Sequence, residues 1–208
     1  MKIIGFVGLP GSGKGEASKI ARHHGLAVVV MGDIIREEAA RQNLEPTDQN
    51  LGRIGNALRE KDGPDAIARR TLDRVMATGK DVVVVDGLRS KAEADFFRAQ
   101  AEEFHLVEVY APAEARLKWL VTRGRPDDPG SSTRSDSNTD IIRSPQDCRA
   151  AALKERESRE MGWGMYEAID AADMSLRNDR SLDDFRKNVE KVLGLLGTDA
   201  VSSDDPKT

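Results

Sequence analysis

The chain has 208 residues, a formal net charge of −4, 33% charged residues and only 4% aromatic ones. That length fits one domain with a hydrophobic core. No stretch approaches the roughly 20 apolar residues of a bilayer span, and the mildly acidic balance argues against a general nucleic-acid binder. A single cysteine, Cys148, excludes an intramolecular disulfide and fits a reducing, cytoplasmic setting. The N-terminal MKIIGFVGLPGSGKG lacks a signal peptide's hydrophobic region. Arginine outnumbers lysine 21 to 11, and the guanidinium fork suits phosphate and carboxylate.

Ile3 to Val7 is a continuous apolar run of strand length that ends in a glycine-rich turn. Lys14 to His24 carries Ala17, Ile20 and Ala21 at helical spacing. Ala27 to Met31 reads as a second buried strand, and Asp33 as the N-cap of a helix through Arg41. A helical pattern runs from Asp48 to Met76, broken at Asp62-Gly63-Pro64, with Pro64 suited to a first helical position. Val82 to Val85 is four valines in a row; hydrophobicity without alternation marks a strand covered on both faces, as in a parallel sheet. Next come a helix over Ser90 to Ala101, a strand over Leu106 to Tyr110 and a helix over Pro112 to Thr122. Residues 124–144 form a polar stretch of the kind that serves as a lid or stays disordered. Gln146 to Met161 is helical, Met174 to Leu176 a weak last strand, and Leu182 to Leu196 a closing amphipathic helix, with a disordered tail expected over 198–208. This alternation predicts an α/β domain over residues 1–197 with right-handed crossovers and helices on both faces. The extra helices between Asp33 and Thr78 read as an inserted lobe.

Gly8-Leu9-Pro10-Gly11-Ser12-Gly13-Lys14 matches the G-x-x-x-x-G-K phosphate-binding loop, with a buried strand before it and a helix after it. Glycines let successive backbone N–H groups point at phosphate oxygens, and the helix N-terminus adds its dipole. Lys14 supplies a point charge for the β- and γ-phosphates. The next residue is Gly15, where such loops commonly place the Ser or Thr that holds Mg²⁺. Glu16 comes after it; its carboxylate can repel phosphate or hold metal through water, and the sequence leaves both open.

Beyond the loop the chain resembles the nucleoside monophosphate kinases. Adenylate kinases also run G-K-G here. Met31-Gly32-Asp33-Ile34-Ile35-Arg36 is similar to their G-D-x-x-R motif, and Val85-Asp86-Gly87-Leu88-Arg89 to their D-G-F-P-R segment, one residue shorter. The resemblance implies that Asp33 and Arg36 belong to the acceptor site, that Arg36 and Arg89 grip an acceptor phosphate, and that Asp86 anchors Mg²⁺ through water. Arg123 and Arg125 open the polar loop as lid arginines do, so Arg123 is expected at the nucleotide. Arg156 and Arg159, three apart on one helix face, would by analogy supply charge to the transferred phosphoryl group, although a run such as Lys154 to Glu160 is usually a solvated face. Trp163, between Gly162 and Gly164, reads either as a base-stacking ring or as a hydrophobe at a helix end.

The set G-L-P-G-S-G-K-G-E, M-G-D-I-I-R-E-E, V-D-G-L-R-S, R-G-R-P-D-D-P, G-W-G and A-D-M-S-L-R-N is similar to an archaeal P-loop family described as adenylate kinase-like or dephospho-CoA kinase-like. Ala172 to Asn178 resembles the end of dephospho-CoA kinases, which makes Asn178 a candidate base contact. The fold this resemblance implies is that of a P-loop NTPase: a five-stranded parallel sheet sandwiched by helices, with an inserted acceptor lobe over 33–78 and a lid over 124–144. ATP would be held by Gly8, Pro10, Gly11, Ser12, Gly13, Lys14, Gly15 and Glu16, with Mg²⁺ as cofactor and nucleotides as the partners. Neither nucleic acid nor membrane is expected. The implied reaction moves the ATP γ-phosphate to a nucleotide acceptor. Two other readings stay open: transfer to a hydroxyl, as in dephospho-CoA kinases, and a nucleotide switch that hydrolyses ATP without an acceptor.

Overall fold

Five strands, β1 (Lys2–Val7), β2 (Ala27–Val30), β3 (Val82–Leu88), β4 (Glu103–Tyr110) and β5 (Met174–Arg177), pair in parallel in the order β2-β3-β1-β4-β5. This computed structural model of the protein describes residues 1–124, 128 and 145–197. β1 is central, with Ile3 opposite Val83 on one side and Phe104 on the other. The chain leaves β1 towards β2 and β3 and later returns to β4 on the opposite side. The carboxyl end of β1 is therefore where strand order reverses, the place at which open α/β sheets bind ligands.

Alternate residues of β1 to β4 feed two cores, which is why β1, β2 and the valine run of β3 are almost continuously apolar. Ile4, Phe6, Val84, Val107 and Leu176 pack under α1 (Lys14–His23) and α9 (Leu182–Leu195), against Ala17, Ile20, Phe185 and Val189. Ile3, Val7, Val83, Val85 and Leu106 face the other way. They meet α4 (Ala66–Ala77) through Ile67 and Val75, α5 (Lys91–Gln100) through Ala94 and Phe97, and α8 (Met165–Asp170) through Met165 and Ala168. Among the described residues no helix is long and apolar enough to cross a membrane.

Three elements differ from expectation. The first helix after β2 is α2 (Met31–Arg41), and its N-cap is Val30 rather than Asp33. Met31 is anchored in the core at 2% exposure, so the chain enters the helix straight from the strand. Asp33 sits instead in the first turn, where the helix dipole favours a negative charge. Pro64 lies in the turn after α3 (Asp48–Asp62), and α4 starts from Asp65 as N-cap because Ala66 is the first residue drawn into the core. The short α8 was not anticipated; six residues are too few to show a helical period.

β3 runs three residues beyond its valines, through Asp86 to Leu88, and its register with β1 shifts between Phe6 and Val7. The remaining helices, α6 (Ala113–Arg123) and α7 (Pro145–Gly162), flank the segment expected to be a lid. That segment and the expected disordered tail over 198–208 lie, apart from residues 124 and 128, outside the described residues.

Candidate active site

The loop between β1 and α1 closes on itself around Lys14. The Lys14 ammonium donates to the carbonyl oxygens of Gly8 and, at 3.1 Å, Leu9. Burial lowers its pKa to about 8, while Asp86 and Glu160 pull it up and Arg89 and Arg156 push it down. Those five side chains therefore form one electrostatic group at the mouth of the loop.

The loop's backbone fits only glycine at three places. At Gly11 (φ +79°) a Cβ would come within 2.9 Å of the Arg116 carbonyl oxygen. A Cβ on Gly8 (φ +145°) would overlap the Val109 carbonyl oxygen, and one on Gly13 (φ +115°) would overlap the Asn178 amide nitrogen. Asn178 fills that space to a purpose: its amide donates to the Ser12 carbonyl at 2.9 Å. A second brace comes from Arg116, which is 5% exposed and donates to the Pro10 carbonyl at 3.2 Å and to Glu157 of α7. The Ser12 hydroxyl is buried and has no partner among the described residues.

Asp86, at the end of β3, is 7% exposed and accepts a hydrogen bond from the Ser18 hydroxyl at 2.8 Å. Where other such loops have a Ser or Thr, nothing lies within 4 Å of a Cβ placed on Gly15. The donor set suits Mg²⁺: hard oxygens from one carboxylate, with room for waters and phosphate oxygens to complete the shell. Among the described residues no cluster of three His, Cys, Asp or Glu forms a separate metal cage.

Glu16 turns away from this group. Burial raises its carboxyl, but hydrogen bonds from Arg186 of α9 and from Lys19 more than offset that and hold it below the ordinary glutamate range.

Beside the loop opens a solvent-connected cleft bounded by α2, α3, the end of β3 and α7. Met31, Ile35, Leu51 and Ile67 give it an apolar side, and Arg36, Arg59, Arg89, Arg156 and Arg159 a cationic one. Each arginine meets a carboxylate. Arg36 donates to Asp33 at 2.8 Å, Arg59 to Glu93 at 2.7 Å, Arg159 to both oxygens of Asp48 at 2.9 Å, and Arg89 and Arg156 both to Glu160. Glu93 is fully buried; its second oxygen accepts from the Arg89 backbone N–H at 2.7 Å. Trp163 forms one wall, with its indole N–H on Asn56 at 2.7 Å and the Arg59 guanidinium 4.2 Å from its ring centre. Gly52 and Gly55 of α3 leave room for this packing: a Cβ on Gly52 would lie 2.7 Å from the Arg159 guanidinium carbon.

Of the residues singled out in the sequence, Lys14, Asp86, Arg89 and Arg156 gather at the loop mouth, and Arg36 and Arg159 line the adjoining cavity, with Asp33 holding Arg36. Arg123 does not line the cavity; it pairs with Asp128, one bond being 3.1 Å. Arg125 lies outside the described residues. Asn178 is engaged with the loop backbone, and Trp163 belongs to the cavity wall.

Sequence reasoning missed Arg59, Glu93, Arg116 and Glu160. Signals for two of them were present. Ser90-Lys91-Ala92-Glu93 has the S-x-x-E spacing of a capping box, and the Ser90 hydroxyl does cap α5 by accepting from the Glu93 N–H. Leu153 and Glu160 are seven apart on α7, so both fall on its buried face.

The parallel sheet, the strand–loop–helix with its lysine, and the acidic residue on the neighbouring strand define an α/β P-loop NTPase. Known proteins agree with this class: a family model described as an AAA domain matches residues 7–134. A UPF0200 protein of Methanothrix thermoacetophila is 48% identical over 193 residues, covering 93% of this chain and 97% of the relative. Another, from Methanosarcina mazei, is 42% identical over 194 residues, covering 93% and 94%. The chain belongs to the UPF0200 family of archaeal proteins. In fold it is similar to TT1252 from Thermus thermophilus, whose crystal structure aligns with a TM-score of 0.56 over 93% of this chain and 97% of that one, at 18% identity.

Proposed function

We propose that the protein is an ATP-dependent phosphotransferase of the nucleoside monophosphate kinase type, moving the γ-phosphate of ATP to a phosphate-bearing nucleotide. The observation that carries this reading is the junction of two sites. Lys14 shares one electrostatic group with Asp86, Arg89 and Arg156, and Arg89 and Arg156 also line the arginine-rich cavity next door. Phosphoryl transfer asks mainly for positioning and for cations around the equatorial oxygens. On this reading the loop backbone and Lys14 hold the β- and γ-phosphates, and Arg36 and Arg89 orient the acceptor phosphate from inside the cavity. Arg156 and Arg159, on one face of α7, supply charge to the transferred phosphoryl group. Asp86, steadied by Ser18, would hold Mg²⁺ through water; the ion would neutralise charge developing on the β- and γ-oxygens. The helices α2 to α4, between β2 and β3, serve as the acceptor lobe. Arg123 is assigned a place at the nucleotide from resemblance alone.

An acceptor panel tests the reading. With ATP and Mg²⁺, ADP formation should require AMP, CMP, UMP or GMP, and Lys14→Ala should lower it at least 100-fold while the chain stays folded. Transfer to dephospho-CoA alone would move the assignment to a hydroxyl acceptor. Equal ATP consumption with no acceptor would replace it with an ATPase switch.

A further inference from the structure

Glu160 is a buried carboxylate held between two arginines that line the cavity. Its side chain is 2% exposed, although it comes from a helix rich in charge. One of its oxygens, Oε1, accepts from the Arg89 guanidinium and also from Arg156 Nε at 2.9 Å. Both arginines line the cavity. Lys14 lies within electrostatic reach as well: it helps keep Glu160 ionised, and Glu160 helps keep Lys14 protonated. Burial alone would push the Glu160 carboxyl up; Arg89 and Arg156 overcome this and hold it below the ordinary glutamate range. Without Glu160, Lys14, Arg89 and Arg156 would face one another in a poorly hydrated site with only Asp86, Asp48 and Glu93 to offset them, which is costly unless a further anion is present. A carboxylate oxygen and a phosphoryl oxygen accept the same charge-assisted hydrogen bonds from arginine.

We propose that Glu160 is the resident counter-anion of the phosphoryl position, so that a phosphate group enters only by taking Arg89 and Arg156 away from it. This inference rests on the phosphotransferase reading, which makes those arginines phosphate ligands. It adds that the site selects by charge. A polyanion such as a triphosphate chain carries enough charge to displace one carboxylate, whereas a monoanion does not. It also makes α7 the element that responds to phosphate, since Glu160 shares that helix with Glu157, the partner of the loop brace Arg116.

The probe is inorganic tripolyphosphate, titrated calorimetrically into the full chain at low salt. Glu160→Gln keeps the shape and removes the charge; it should bind tripolyphosphate at least ten-fold more tightly than wild type. Glu155→Gln removes the same charge from an exposed position of α7 and should stay within two-fold of wild type. If Glu160→Gln does not fold, Glu160→Asp draws the carboxylate back from the arginines and should gain several-fold. A folded Glu160 variant with unchanged or weaker affinity would overturn the inference, whether or not transfer from ATP is lost. If neither wild type nor any variant binds tripolyphosphate, the phosphate-site reading falls, and the inference with it.

Discussion

Lys14 carries a pH signature with a definite sign. Its pKa is about 8 in the folded chain against 10.5 ordinarily, so between those values the folded state binds fewer protons than the unfolded one. Lys14 therefore makes stability rise with pH from about 8 to 10.5. A bound phosphate chain restores the ammonium, and binding above pH 8 must draw in a proton. Affinity for tripolyphosphate should then fall by up to about ten-fold per pH unit above that value. Calorimetry at about half a unit above it, in buffers of different ionisation enthalpy, counts that proton; affinity independent of pH through the next unit, with no uptake, would contradict the burial of Lys14. Glu160 has the same sign in a lower pH window. Its folded pKa is depressed, so its contribution is complete above the ordinary value of 4.5 and is lost as pH falls below it. Glu93 is a structural counterpart: fully buried, it binds the Arg59 guanidinium and the Arg89 backbone. Glu93→Ala leaves both donors without their acceptor, and urea unfolding should show a loss of about 3–5 kcal/mol.

At the scale of elements, the loop is limited by the β4 backbone at one end and by the Asn178 side chain at the other. Gly8→Ala would drive a methyl into the Val109 carbonyl of β4, and Gly13→Ala into the Asn178 side chain. Gly8→Ala should cost more in thermal unfolding, because a strand carbonyl cannot move aside as an amide side chain can. The bridge between α3 and α7 makes a separate prediction. Asp48 binds Arg159 and, at 3.3 Å, Arg156. Asp48→Ala should lower stability by about 1–3 kcal/mol and speed hydrogen exchange in α3, with the sheet unaffected; unchanged exchange in α3 would contradict the bridge.

The sheet and the phosphate loop were legible in the sequence because they obey local rules: a strand covered on both faces must be apolar at every position, and a loop that cradles phosphate must have glycine where φ is positive. The strand order and the ion-pair partners were not legible. Glu160 looks solvated in the run Lys154 to Glu160, because its partner Arg89 is 71 residues away on another element. Arg36 and Asp33, by contrast, are three residues apart and could be read together. The N-terminus of α2 was misread because strand β2 delivers the chain directly into the helix, so no polar cap is required.

For the molecule as a whole, the net charge of −4 describes the exterior and not the site. Arginines from α2, α3, the end of β3 and α7 converge on one cavity, each matched by a carboxylate. The excess of arginine over lysine thus has a structural use in at least this region. A site of this kind exchanges one set of anions for another and does not wait as bare positive charge. Its affinity for phosphates should weaken with salt less steeply than that of exposed basic patches, because the pairs are partly buried. The most direct measurement supplies ATP radiolabelled at its γ-phosphate, with Mg²⁺ and each nucleoside monophosphate in turn, and locates the label. Label should appear on the acceptor, with little released as inorganic phosphate, and Lys14→Ala should give neither product. Label found only in inorganic phosphate, at a rate that no acceptor changes, would rule out the phosphotransferase.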